Sequence, residues 1–429
     1  MNVKGTRDFL PEEMILRQQV LEKIKSVFEV FGFQPLETPA LETWEVLSKK
    51  GAGGDEILNE TYNFKDKGDR MIGLRYDLTV PLARVMASNP NLNLPFKRYQ
   101  IQSVWRYGDI AKNRFREFLQ ADIDIMGSEK MNADAEVIAC AISVLDSLGF
   151  KKFLVRINNR KILEALAKYS GVGDDRIVDV LRSIDKLEKI GIDKVKEELR
   201  AKGISDNSVQ NILELINIKG EPEIVLKKVE KIIKNEGIEE LKQIISILKK
   251  MKVKPKFTID ISLARGLDYY TGPIFEIFAE EGIGSIAGGG RYDKMIGLFS
   301  GKDVPAVGIS FGIERIIEVM KERKMIETKK SKVKVFVIAV NDKVRDKVLE
   351  VVQILRNKSI QTDYDLRSRS LSKQLNYANS LGIPNVMIVG EKELQKKAVK
   401  LRKMDTGKES LVKIKDVARY LKTEMHNEA

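Results

Sequence analysis

Cysteine is nearly absent: Cys140 stands alone among 429 residues, which excludes an intrachain disulfide framework and any CxxC zinc site. It lies in the run Asn132 to Ile142, which reads as a buried helix and gives the thiol a packing role. Histidine is as scarce. His426, the only one, falls in a polar tail, so a catalytic histidine is not expected. No stretch of about 18 or more apolar residues occurs, and Met1 to Leu10 has no apolar leader core. A cytoplasmic protein without membrane contact is the expectation.

What the chain has in abundance is charge, 75 basic against 62 acidic residues for a net +13. Ser331 to Ala429 carries 21 basic and 12 acidic residues, so +9 of the surplus sits in the last quarter. Coulombic attraction and counterion release make that quarter the place to look for nucleic acid. Abundant lysine, glutamate and arginine also mark heat-stable surfaces, so charge alone leaves both readings open.

The length suggests roughly two to four domains. Glu12 to Phe31 has apolar residues at helical spacing, and Gly32 follows as a stop. The next stretch, Phe33 to Leu41, carries Pro35 and Pro39, which remove ladder donors and predict a sheet edge or a subunit boundary. Short β-like runs follow at Met71 to Tyr76, Phe96 to Tyr107 and Phe118 to Met126, joined by hairpin-scale loops, so an antiparallel sheet is expected. Lys161 to Lys254 turns to leucine, isoleucine, lysine and glutamate at helical spacing, the texture of a helical insertion. Sheet-like sequence resumes at Phe257 to Ile261 and Ile274 to Phe278, and Val304 to Met320 reads as a strand running into a helix. Beyond a charged linker, strands at Val333 to Val340 and Val386 to Gly390 alternate with helices at Lys343 to Leu355 and Leu371 to Leu381, an α/β unit with parallel strands.

Chemistry concentrates in four segments. Ala264 to Gly272 and Ala287 to Asp293 place arginines, carboxylates and paired tyrosines beside glycines 288 to 290, where main chain can approach a ligand closely. Arg98 to Asp124 is rich in arginine, and Arg75-Tyr-Asp-Leu-Thr79 lies upstream.

These segments resemble the class II aminoacyl-tRNA synthetases and, within them, the histidyl-tRNA synthetase family, over nearly the whole chain. The class-level motifs are the helix and strand running to Pro39, the strand-loop-strand Tyr99 to Asp124, and the strand-helix Gly308 to Arg315. The histidine-specific signatures are Arg265-Gly-Leu-Asp-Tyr-Tyr270 and Lys4-Gly-Thr-Arg-Asp-Phe-Leu-Pro11. The Asp77 of Arg75 to Thr79 looks like the archaeal and eukaryotic branch. The resemblance implies an α+β fold: a class II antiparallel sheet flanked by helices at residues 1–160 and 255–325, a helical insertion at 161–254, and a C-terminal α/β anticodon-binding domain at 331–429.

It also implies ATP and L-histidine as substrates, Mg2+, tRNA(His) as the acceptor and a homodimer. Arg106 and Arg265 are the expected catalytic residues, since negative charge building around phosphorus calls for preorganised guanidinium groups. Arg106, Arg114, Phe118 and Arg315 would hold ATP, with Phe118 offering the adenine a planar apolar face. Asp77 and Thr79 suit an ammonium, and Gln120, Asp124, Tyr269 and Tyr270 would supply partners for an imidazole, alongside Arg106 and Arg265. Apolar amino acids would leave such groups unpaired. A silent paralogue resembling the regulatory subunit of ATP phosphoribosyltransferase is the alternative. Such paralogues lack the C-terminal domain and lose site arginines.

Overall fold

Period-two alternation of apolar and polar residues, clearest in Gln120-Ala-Asp-Ile-Asp-Ile125, shapes the largest element of the fold. The computed structural model describes residues 1–49, 55–110, 114–254, 256–265, 269–279 and 284–427. It divides into two compact units, Met1–Asp8 with Val20–Met325, and Phe9–Gln19 with Ile326–Ala429. Among the described residues no helix is long and apolar enough to cross a membrane.

The first unit holds an eight-stranded sheet of β1 (Gln34–Pro35), β5 (Phe96–Trp105), β6 (Glu117–Met126), β7 (Leu154–Asn159), β8 (Phe257–Ile259), β9 (Pro273–Phe278), β10 (Ser285–Arg291) and β11 (Ala306–Gly312). Its spatial order is β1-β5-β6-β11-β10-β9-β7-β8, antiparallel throughout except for the parallel edge pairs β1 with β5 and β7 with β8. A small antiparallel sheet, β2 (Leu41–Thr43), β3 (Asn63–Lys65) and β4 (Met71–Leu74), runs in the order β2-β4-β3. The expected edge strand shrinks to β1, because Pro35 offers no donor and the chain leaves the ladder before Pro39.

The two faces of the large sheet differ in chemistry. Ala121, Ile123, Ile309 and Phe311 are buried on one face. Phe28, from the helix Pro11–Val30, packs there with ring centroids 5.8 Å from Tyr99 and 5.9 Å from Phe311. Helix Met131–Ser147 packs against β11, with Ala135, Ile138, Ala139 and the expected buried Cys140 inside. The other face carries Gln120, Asp122 and Asp124. Main chain follows from that division: polar residues at alternate positions can be tolerated only where something other than oil meets them.

Arg291 belongs to the apolar side. Its guanidinium is 3% exposed and pairs with Asp134 of helix Met131–Ser147, which is fully buried, while also donating to Ser128 O at 2.9 Å. It thus ties β10 to the helix and does not enter the site, although the sequence puts it beside the three glycines. Between β7 and β8 the chain forms helices at Arg160–Tyr169, Ile177–Asp185, Ile192–Ala201, Asp206–Ile216, Pro222–Glu230 and Glu236–Lys250. Side chains that accept from the first-turn amides start three of them: Asn159 bonds Lys161 N, Ser205 bonds Ser208 N and Asn235 bonds Gly237 N.

In the second unit β12 (Val335–Ala339) lies parallel to both β13 (Thr362–Tyr364) and β14 (Asn385–Val389). β14 then continues antiparallel into β15 (Ala398–Lys403) and β16 (Glu409–Lys413), a hairpin absent from the sequence reading. Lysine and arginine at Lys400 and Arg402 alternate there with buried Val399 and Leu401, and the charge masks the strand pattern. The side chain of His426 lies outside the described residues.

Removing Asp134 would strand a buried guanidinium, so Asp134→Ala should destabilise the protein by about 3 to 5 kcal/mol. The paired change Asp134→Leu with Arg291→Met should recover most of that. Urea unfolding midpoints measure both; a single substitution costing under about 1 kcal/mol would refute the tie.

Candidate active site

β6 sets the floor of the site. Its residues Gln120, Asp122 and Asp124 stand in register with Gly312, Ser310 and Gly308 of β11 on one side, and with Gln102, Gln100 and Arg98 of β5 on the other. Above this face opens a cavity of about 1200 Å³. Asp77, Thr79, Arg106, Arg114, Phe118, Gln120, Asp124, Arg265, Tyr269, Tyr270 and Arg315 all line it, so the eleven residues expected to bind substrate meet in one place. Gly266 to Asp268, the middle of the paired-tyrosine signature, lie outside the described residues.

Two glycines of the floor leave space that other side chains fill. A Cβ on Gly308 would collide with Asp124 Oδ1, and one on Gly288 would lie 2.6 Å from Arg265 Cζ. Asp124 from the adjacent strand β6 and Arg265 from the segment between β8 and β9 occupy the space those residues leave vacant.

Three guanidinium groups are anchored by main chain or by a carboxylate. Arg106 Nε donates to Tyr76 O at 2.9 Å, and its guanidinium sits 5.4 Å from the Phe118 ring centroid. Arg315 Nη1 donates to Ser285 O at 2.6 Å. Arg265 lies 3.7 Å from Glu276, and its Nη1 is buried without a hydrogen-bond partner among the described residues. Burial lowers the Arg315 pKa; Glu276 opposes this, and the like charges of Arg114 and Arg106 push it further down. Mutual repulsion among fixed cations is the signature of a site made for an anion. Arg114 and Arg116, inseparable by sequence, part company here. Arg114 lines the cavity and lies 3.7 Å from Glu60, whereas Arg116 stacks 3.7 Å over the Tyr107 ring with its stem against Gly5.

The acidic half of the cavity is buried. Asp77 Oδ1 accepts from Val80 N at 3.0 Å at the start of helix Thr79–Ser88. Burial raises its pKa to about 6, with the Val80 amide and Arg106 opposing. Asp124 is raised by burial and held back by Arg98, whose Nη2 lies 2.8 Å from Asp124 Oδ2, and by the Tyr292 hydroxyl, which donates to Oδ1. Tyr269 packs between Tyr270, tilted at 4.8 Å between centroids, and Tyr292, edge-on at 5.9 Å. The Arg75 to Thr79 segment is itself pinned: Arg75 Nη1 donates to Thr38 O at 2.6 Å and Pro39 O at 3.1 Å, and Nε to Ser103 O at 2.9 Å.

Asp122, Glu276, Tyr292 and Ser310 also line the cavity and were missed by sequence reasoning. Asp122 was legible, being two residues from both Gln120 and Asp124 on a strand. Burial raises its pKa to about 7, with Arg98 opposing and Asp124 adding to the rise. Among the described residues no group of three or more carboxylate, histidine or cysteine side chains forms a cage for a metal ion.

Because Asp77 and Asp122 titrate above their ordinary value, the folded chain binds more protons than the unfolded one between roughly pH 4 and 7. Their contribution to stability is therefore fully favourable at the acid end and is lost as pH rises through that window. Asp122→Asn should accordingly gain on the parent protein in urea midpoint as pH is raised. A difference independent of pH would contradict the assignment.

The family model for histidyl-tRNA synthetase matches residues 5–316, and that for an anticodon binding domain matches residues 334–424. The chain is 38% identical to a histidine–tRNA ligase of Pyrococcus furiosus over 98% of both chains, and 42% identical to one of Aeropyrum pernix over 91% of both. Its structure is similar to that of a histidyl-tRNA synthetase from Nostoc sp. PCC 7120, with a TM-score of 0.87 at 33% identity over 99% of both chains. With its catalytic half and its C-terminal unit both matched and its eleven expected side chains gathered in one cavity, the chain belongs to the histidyl-tRNA synthetase family.

Proposed function

We propose that the protein is a histidine–tRNA ligase that joins L-histidine to ATP, forming histidyl-adenylate and pyrophosphate, and then transfers histidine to the 3′ end of tRNA(His). One observation carries this reading: Arg106, Arg265 and Arg315 share a cavity with Asp77, Asp124 and the paired tyrosines.

The histidine carboxylate attacks the α-phosphorus while pyrophosphate leaves, so charge accumulates on the phosphoryl oxygens. Arg265 and Arg106 meet it at the α-phosphate. Both are held by protein groups before substrate arrives, so little reorganisation is needed as charge develops. Arg106 also contacts the histidine carboxylate, Arg315 takes the γ-phosphate and Arg114 the pyrophosphate end. Phe118 faces the adenine. Asp77 and Thr79 receive the α-ammonium, and Gln120, Asp124, Tyr269 and Tyr270 surround the ring.

Mg2+ fits this donor set as a companion of the triphosphate: Glu276 and Glu314 line the cavity, but a cage of protein ligands is lacking among the described residues. When bound, the ion neutralises developing phosphate charge. The basic unit at 331–429 takes the anticodon, helices between residues 160 and 250 take the acceptor arm, and the working form is a homodimer. The silent regulatory reading is disfavoured because this chain keeps the site arginines and the matched segment 334–424.

Histidine alone among amino acids should support ATP–pyrophosphate exchange, and Arg265→Ala should lose it by ~10²-fold or more, the scale of one removed transition-state donor. Exchange at the parent rate in that variant would exclude the role. Charging of tRNA should also weaken, by about tenfold or more between 50 and 200 mM salt, as phosphate contacts are screened. Exchange should hardly change over the same range; equal salt sensitivity of the two reactions would count against a polyanion-binding C-terminal unit.

A further inference from the structure

We infer that Asp122 is a specificity-determining residue, binding the substrate's side chain as the doubly protonated imidazolium cation and disfavouring the neutral ring. The inference rests on the histidine reading above and names the charge state which that site selects.

Asp122 and Asp124 each keep one oxygen without a hydrogen-bond partner among the described residues, and of the two only that of Asp124 lies in an ion pair, 2.8 Å from Arg98 Nη2. The other oxygen of Asp124 accepts from the Tyr292 hydroxyl, and Asp77 accepts a main-chain amide. Asp122 lines the same cavity, is 3% exposed, and its Oδ1 has no hydrogen-bond partner among the described residues. A carboxylate buried in that state is costly unless a donor reaches it.

The neighbours decide what kind of donor is suited. Arg98 and Ser310 favour the ionised form of Asp122, while Asp124 and Asp77 oppose it. Tyr292 faces the same cluster from the end of β10. Arg106 offsets Asp77 electrostatically, leaving Asp122 and Asp124 to share the fully buried Arg98. With both ionised, two acids against one guanidinium leave one negative charge uncompensated on the floor. A neutral ring leaves that charge in place. An imidazolium ring removes it, and presents an N–H on each side where the neutral ring has only one. Charge-assisted bonds of this type are about twice as strong as neutral ones. The alternative placing of the proton, on Asp122 beside a neutral ring, supplies a single donor and keeps the ring from compensating Asp124.

Nuclear magnetic resonance of ring-labelled histidine bound to the full-length protein at about pH 7.5, where the free ring is mostly neutral, reads the charge state directly. Both ring nitrogens should report as protonated, and Asp122→Asn should return one of them to the bare form. In exchange assays that variant should lose roughly tenfold or more in kcat/KM for histidine, the scale of one charged hydrogen bond. Triazolylalanine, of the same shape but far less basic, should be affected less, so the preference for histidine over it should narrow. A bare ring nitrogen in the parent complex would overturn the inference, as would an unchanged preference in a folded Asp122→Asn protein. If that variant does not fold, the parent spectrum still decides. Failure of the parent protein to bind or activate histidine at all would remove the histidine reading, and this inference with it.

Discussion

A guanidinium with no exposure to solvent, Arg98, lies against two aspartates on the neighbouring strand, and the polar face of the sheet depends on it. Carboxylates at Asp122 and Asp124 are buried well past the point at which they would ordinarily stay ionised. A fixed positive charge from the adjacent strand makes a floor of this kind tenable, and the glycine at position 308 makes room for one of its members. Substitution of Arg98 by an apolar residue would leave the same strand with acids facing each other.

From this floor the cavity acquires two electrical halves. Toward Arg106, Arg265, Arg114 and Arg315 it is cationic, and the lowering of the Arg315 pKa, which burial dominates, is deepened by Arg114 and Arg106. Toward Asp77, Asp122 and Asp124 it is anionic. A molecule carrying phosphates at one end and an amino acid with basic groups at the other satisfies both halves, whereas a simple apolar ligand satisfies neither. The separation is held by the sheet and the elements attached to it: Asp122 and Asp124 stand on β6, Arg106 directly follows β5, Arg315 lies in the helix that follows β11, and Asp77 belongs to the tethered Arg75 to Thr79 segment.

Much of the architecture was legible because it follows from local patterns. The first helix was expected at Glu12 to Phe31 and occupies Pro11–Val30; Val304 to Met320 resolves into β11 and the helix Ile313–Glu322. Hairpin-scale spacing was a sound guide to the antiparallel order β5-β6, since nothing between those strands is long enough for a crossover. The hairpin β15 with β16 escaped because its outward positions are lysine, arginine and glutamate, whose charge swamps the alternation. Arg291 takes the other face of the sheet from the one its glycine neighbours suggest, because proximity in sequence does not reveal which face of a strand a side chain takes, whereas the two-residue spacing of Asp122 from Gln120 and Asp124 does put it on their face.

Residue types and their spacing by themselves determined the apolar periods that make helices and strands, and the motifs carried the resemblance that implies the family and the candidate arginines and tyrosines. Only the tertiary structure decided that Arg291 serves the core, that Arg114 and Arg116 have different tasks, that Arg98 and Tyr292 engage Asp124, and that Asp122 Oδ1 has no hydrogen-bond partner among the described residues. The reason is that hydrogen-bond and charge partners come from strands far apart in the chain: Arg98, Asp124 and Tyr292 meet only when β5, β6 and β10 take their places in the sheet. Local sequence dictates what each side chain can do, and register dictates which of them are left to do it.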